Sequence, residues 1–491
     1  MKSRWLTLFA CVPLAVGTLL LQSCGGVGGP TKPSTSPGSN APTQAFLALL
    51  PATQKNAKTV GPAVCGQAAC HGGPTATGHT YTTWEATAHA QNKVTCESCH
   101  GPGSIHAANP TATDGTPNAI LTFPNSTSVA VCNQCHGPLA GDYQSSMHAQ
   151  VITDGVRAAT SLCAECHGGL LRAQYANNGV NYTQMSTTQV TNAINDVLTP
   201  PKAAPDLSCS ATCTTCHDPH AKTGNLSVSG KEVQIYQPES SSATTGIAPG
   251  ATAAQFANMP PTLSNPQICG QCHNGRATNG SDAGLQADTS RSVMQSDQQN
   301  TLMGVGGAEN WNVPPATRST SHALAKGQCV QCHMPNSSHT FVATPDACAP
   351  CHTPAAAAAL QLGLQSEVSA DLLALATRLS NWAISQGWGA QSWDFTSNIP
   401  SGQTVPNQAN IPLAVQRARY NYYFIVNSGD LGVHNYAYTQ YLINWSNTTL
   451  TSAGIPTVDK SQIEKIPAAT RIQAIKQVRA NVMKSSWTEK H

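Results

Sequence analysis

The sequence predicts a mostly α fold with extensive loops, in which bound prosthetic groups form much of the core, followed by a C-terminal helical region. Three observations predict it. A Cys-x-x-Cys-His unit recurs along the 491 residues. Only 10% of residues are charged and 5% aromatic, with 39 Gly and 33 Pro, so the chain builds a thin conventional core for its length. After Pro354, apolar residues return every three to four positions, as on one face of a helix.

The start of the chain reads as an export leader. Lys2 and Arg4 precede an apolar run from Trp5 to Leu21, too short and wrongly flanked to span a membrane. "LQSC" resembles a bacterial lipobox, which implies a signal peptide over residues 1–23 and a lipid on the Cys24 thiol. Gly25 follows, which points to the outer membrane. Residues 25–44 are rich in Gly, Pro and Ser and read as a flexible tether, drawn here over 24–59. Without Lys2 and Arg4 the basic and acidic residues balance, and nothing suggests nucleic-acid binding.

Residues 60–353 carry the repeated unit. Cys-x-x-Cys-His is the attachment signature of c-type haem: two thiols form thioethers and the adjacent histidine ligates the iron. The cysteine pairs are Cys96/Cys99, Cys132/Cys135, Cys163/Cys166, Cys213/Cys216, Cys269/Cys272, Cys329/Cys332 and Cys348/Cys351. The proximal ligands that follow them are His100, His136, His167, His217, His273, His333 and His352. A looser site, "CGQAACH", places Cys65, Cys70 and His71, and serves if its four intervening residues bulge. Zinc is a poor rival, because these isolated units lack the partner pair that closes a tetrahedral site. A disulfide framework does not explain a histidine after every pair. Of 19 cysteines, Cys11 and Cys24 lie in the leader and Cys209 is left over as a small buried residue. The expectation is a multihaem cytochrome c with eight haem c groups, seven on full motifs, in which haems form much of the core.

The histidine balance extends this. Of 17 histidines eight are proximal, and His491 ends the chain. The remainder, His79, His89, His106, His148, His220, His322, His339 and His434, equal the vacant iron faces in number. Two imidazoles saturate an iron axially, favour electron transfer and leave no open position. His220 lies three residues from His217 and cannot reach the far face of the same iron, so it serves a neighbour. His89, His148 and His322 stand in "WEATAHA", "YQSSMHA" and "STSHALA", where short helical turns aim them inward.

After Pro354, Leu360, Leu364, Val368, Leu372, Leu375 and Leu379 mark one amphipathic helix. Two more flank His434. Ile472, Ile475, Val478 and Val482 mark another, with Lys and Arg on its far side. Residues 354–491 are therefore a helical region, expected to pack on the haem region or on itself.

The stretches "STSHALAKGQCVQCHMPNSSHTF" and "CESCHGPGSIH" resemble the multihaem family of pentahaem nitrite reductase, hydroxylamine oxidoreductase and octahaem tetrathionate reductase. "AVQRARYNYYFIVNSGDLGVHNYAYTQYLINWS", residues 414–446, resembles that family's helix, His-bearing turn and second helix, which implies that His434 is a distal ligand. The nitrite and tetrathionate reductases replace the motif histidine of the catalytic haem with Lys, and no CxxCK occurs here. Nothing identifies the Tyr that hydroxylamine oxidoreductase links to its catalytic haem. The fuller likeness is to outer-membrane electron-transfer cytochromes of metal-respiring bacteria.

The expected function is electron transfer along bis-His haems, without a catalytic residue. The alternatives are a reductase of small nitrogen or sulfur oxyanions at one five-coordinate haem, and a subunit of a cytochrome filament. Expected partners are other multihaem cytochromes and outer-membrane components, with metal oxides as acceptors, on the periplasmic or cell-surface side.

Overall fold

The computed structural model describes residues 43–73, 80–110, 120–121, 128–150, 211–237, 239, 267–273, 282–287, 297–308, 320–349 and 351–488. Cys24, His79, Cys163, Cys166, His167 and Cys209 lie outside them. Among the described residues secondary structure is helical, apart from two isolated bridges, His217 to Ile235 and Leu226 to Glu232. No described helix is long and apolar enough to cross a membrane.

The main apolar core lies in the C-terminal region. Four helices build it: α1 (Pro354–Ser385), α2 (Leu413–Ser428), α3 (Tyr436–Ser452) and α4 (Ala468–Thr488). Helix α1 starts where the sequence dictates. Thr353 accepts a hydrogen bond from the amide of Ala356 at 3.2 Å, and Pro354, with no amide to satisfy, takes the first helical position. Its buried stripe is Val368, Leu372, Leu375, Leu379 and Trp382, packed against Val415, Phe424, Leu442 and Ile475 from the other three helices. The stripe is shorter than its periodicity implies. Leu360 is 51% exposed and Leu364 half-buried, because α1 runs past its partner helices at the N-terminal end.

Three buried arginines close this region, each bonded to backbone carbonyls. Arg378 donates to the carbonyls of Asn447 and Pro456, to Asn447 Oδ1 and Thr451 Oγ1, and to the carbonyl of Ile455. A cation thus satisfies the C-terminal end of α3, where helix carbonyls lack partners and the dipole is negative. Arg419 lies 4.0 Å over the Phe395 ring and holds the carbonyl of Asp394 at 3.0 Å. Arg471 ties the carbonyls of Glu464 and Ile466 to Ser366 of α1.

The motif-bearing region has only small apolar clusters, such as Phe46, Leu50, Leu121 and Val131. Packing therefore begins earlier than the drawn tether boundary. Gln44–Leu49 is helical, and Phe46 and Leu50 are buried because residues 43–59 supply cover for the second site. Gln54 bonds the carbonyls of His100 and Pro102 and accepts from the amide of Leu121.

Replacing Arg378 with Met leaves several buried acceptors unpaired and is expected to cost about 3 kcal/mol, read as a lower melting temperature of the holoprotein. Burial raises Asp394 to about 6, although Tyr423 and the amide of Phe395 donate to it. The unfolded carboxyl titrates near 3.8, so folding binds a proton between these values. This contribution to stability is full below about 4 and lost as pH rises through about 6, and Asp394→Asn is expected to flatten that pH dependence.

Candidate haem-attachment sites

Each described motif is one tight turn that brings its histidine back under its first cysteine. The amide of His136 bonds the carbonyl of Cys132 at 2.8 Å, His217 that of Cys213 at 2.9 Å, His273 that of Cys269 at 2.9 Å and His352 that of Cys348 at 3.1 Å. Cys96–His100 and Gln328–His333 are single helical turns. The sixth motif is wound more tightly. Cys269–Gln271 is a 3-10 turn, and Cys272 follows it half-buried, its amide 3.1 Å from the Cys269 carbonyl. The looser first site closes like the others. The amide of His71 returns to the carbonyl of Cys65 at 3.0 Å, so its two extra residues bulge while the ends match the standard motif. None of the described motif cysteines, Cys272 included, forms a disulfide.

The structure brings imidazoles together in twos, across long stretches of chain. Ring centres are 6.2 Å apart for His89 and His136, 6.0 Å for His100 and His220, and 6.0 Å for His148 and His273. They are 6.4 Å apart for His217 and His339, 6.4 Å for His322 and His352, and 6.2 Å for His333 and His434. Every pair joins one motif histidine to one histidine outside the motifs, and no histidine is used twice. An iron bonded to two imidazole nitrogens at about 2 Å each, with each ring centre roughly 1.1 Å beyond its nitrogen, separates the centres by about 6.2 Å. The residues fit a bis-His haem. Among the described residues no group of three or more His, Cys, Asp or Glu is gathered as a metal-ion site. His71 and His106 both stand near His100, and no ring contact brings those two together.

In most of the paired rings the second nitrogen is occupied. Nδ1 lies 2.8 Å from the carbonyl oxygen of Leu121 in His100, 2.9 Å from Val233 in His217, and 3.0 Å from Phe341 in His333. In His322 it lies 2.9 Å from the Val433 carbonyl, in His339 2.8 Å from Ser337, and in His273 3.3 Å from Gln298 Oε1. His89 meets the backbone of Pro219. An acceptor at Nδ1 fixes the proton there and leaves the Nε2 lone pair for a metal. Burial also lowers the pKa of His89, His100, His136, His217 and His333, and takes His148 down to about 4. Neutral imidazole is the ligating form.

Local chemistry positions the histidines outside the motifs. Thr87 caps the turn that carries His89, accepting from the Ala90 amide at 3.3 Å. Asp218 accepts from the amides of His220 and Ala221 and bends the chain just after the fifth motif. Asp142 accepts from the His339 amide and the Ser338 hydroxyl. His322 sits in a turn, not a helix. Asp430 accepts from Ser428 Oγ and from the amides of Gly432 and His434, with its Oδ2 2.7 Å from His434 Nδ1. Burial acts to lower the His434 pKa, but the charge and hydrogen bond of Asp430 outweigh it and the value is raised. The carboxylates Glu97, Asp142, Asp218 and Asp430 carry no motif, though Asp430 precedes His434 by one helical turn in the Gly-flanked "SGDLGVH".

The attachment sites also touch one another. First-cysteine thiols stand side by side in Cys65 and Cys96, Cys132 and Cys213, and Cys269 and Cys329. Cys99 stands near Cys135, Cys216 near Cys269, and Cys332 near Cys348 and Cys351. Glu97 locks the first two sites together, accepting from the amides of Val60, Gly61 and Gly103. A cavity of about 390 Å³ beside them is lined by Pro62, Tyr81, Trp84 and Lys93, among others.

No family model and no curated protein matches the chain. Two solved structures are similar to it. One is an undecahaem cytochrome from the S-layer of Carboxydothermus ferrireducens, at 20% identity and a TM-score of 0.40, covering 74% of this chain and 51% of that one. The other is the outer cell wall cytochrome OcwA, at 17% identity and a TM-score of 0.42, covering 73% and 70%. The chain spans about half the length of the first.

Exchange of His220 for Ala in the holoprotein is expected to create one high-spin iron, read by electron paramagnetic resonance, with the other haems still low-spin. An unchanged spectrum would remove His220 from the ligand set.

Proposed function

We propose that the chain is an electron-transfer c-type cytochrome carrying eight haems, six of which the histidine pairs given above would hold. The observation that carries this reading is the six imidazole pairs, each at the separation of an axially bridged iron. The haem supplies reversible one-electron chemistry at iron. The protein's own residues do the rest. The motif cysteines would anchor the haem, the paired rings would hold its iron, and the Nδ1 acceptors fix ring orientation and basicity. An iron held by both rings of a pair would have no place for a substrate.

Neighbouring attachment sites give the route. Read from the cysteine contacts, the order is first, second, third, fifth, sixth, seventh, eighth; the fourth site lies outside the described residues. The exchanged histidines tie sites that are one step further apart in this order. His220 from the fifth site faces His100 of the second, and His339 from the seventh faces His217 of the fifth. Exposed positions occur at Cys70 and His71, at Cys135 and His136, and at Cys351 and His352. Electrons enter and leave at these surface sites, exchanging with other cytochromes or an extracellular acceptor such as a metal oxide. Attachment to the outer membrane through a lipid on Cys24 belongs to the same reading.

The test is spectroscopic. The purified holoprotein is expected to give eight haems by pyridine haemochrome and only low-spin ferric signals. It is expected to give up electrons to soluble ferric chelates after full reduction. A high-spin iron together with turnover of nitrite or hydroxylamine would replace conduction with catalysis.

A further inference from the structure

Asp430 stands apart in the ligand environment. Six of the described imidazoles place Nδ1 against a neutral oxygen and His89 meets backbone, whereas His434 Nδ1 lies 2.7 Å from a carboxylate oxygen. The carboxylate is nearly sealed, its side chain 7% exposed. Ser428 Oγ and the amides of Gly432 and His434 donate to it, which favours the ionised form. The turn is stiff. Gly429, Leu431 and Gly432 hold left-handed backbone at φ 77°, 52° and 92°. A Cβ on Gly429 would come within 2.7 Å of the Arg479 guanidinium. Three donors thus hold the carboxylate beside the ring in the hairpin between α2 and α3.

A charged acceptor makes a hydrogen bond roughly twice as strong as a neutral one and gives the imidazole partial imidazolate character. Such a ring donates more electron density to iron. The porphyrin-bound ferric ion carries net positive charge and the ferrous one does not, so a fixed anion nearby favours the oxidised form. We propose that Asp430 is a tuning residue that lowers the reduction potential of the haem anchored by Cys329 and Cys332, placing an energetic step between the sixth and eighth sites. This rests on the reading that His333 and His434 are axial partners.

The experiment is potentiometric, on full-length holoprotein. Wild type is first checked for haem count and spin state, so that failure of the axial pairing shows there and not in the variant. Asp430→Asn is expected to keep every iron low-spin and to shift one component of the visible redox titration positively. The shift is expected to be at least tenfold in the oxidised-to-reduced ratio, or about 59 mV for a one-electron couple. Asp430→Glu restores the charge and is expected to bring the component part of the way back. In a His434→Met background the effect of Asp430→Asn is expected to shrink to the through-space part of the charge effect, because the contribution relayed through the ring is gone. Superimposable titrations of wild type and the Asn variant would overturn the proposal. So would a new high-spin iron in the Asn variant, which would make Asp430 a clamp on the ligand with no tuning role.

Discussion

The structure turns on one arrangement: imidazoles from remote parts of the chain face each other with ring centres 6.0 to 6.4 Å apart. The motif region has little else to organise it. Its apolar clusters are small and its segments are short turns joined by loops. Under the proposed function, flat and largely apolar haems would supply the burial that the sequence lacks, and the histidine pairs would fix where each loop must lie. The C-terminal helices follow the opposite logic. They hold a continuous apolar core, and that core presents the single turn bearing Asp430 and His434. A rigid scaffold thus completes an otherwise loop-built region.

The covalent half of each site was legible in the sequence because it is local. Two thiols and a histidine within five residues, as in Cys269, Cys272 and His273, can be recognised without knowing the fold. The first site needed more, since only the return of the His71 amide to Cys65 shows how two extra residues are absorbed. Pairing was not legible. His220 follows the fifth motif but faces the ring of the second, and His148 follows the third but faces the sixth. These meetings are made by tertiary packing, which leaves no periodic trace. The helical stripe after Pro354 gave the buried face of α1 but not its extent. Periodicity reports which side of a helix is apolar, and neighbouring elements decide how much of that side is covered.

The carboxylates were the least visible. Glu97, Asp142, Asp218 and Asp430 act on backbone amides or a ring nitrogen, and an acidic residue in a loop reads as solvated until its neighbours are known. Each stiffens the loop beside a histidine at a place where glycine and proline dominate. Isolated buried charges are costly, but a carboxylate that accepts two or three hydrogen bonds is not isolated. The buried arginines of the helical core follow the same rule with the sign reversed, each donating to several backbone carbonyls.

The exchange of ligands between sites has a consequence for how such a chain can change. The ring facing His100 is supplied from beyond residue 211, the one facing His217 from beyond residue 333, and the one facing His333 from the helical hairpin. None of the six motifs with a described ring pair draws its opposite ring from within its own five residues. A duplication or excision confined to one repeat would strip a neighbour of its opposite ring, so growth or shortening must proceed in interlocked blocks. The molecule is woven rather than beaded, and its smallest heritable unit is larger than its repeat.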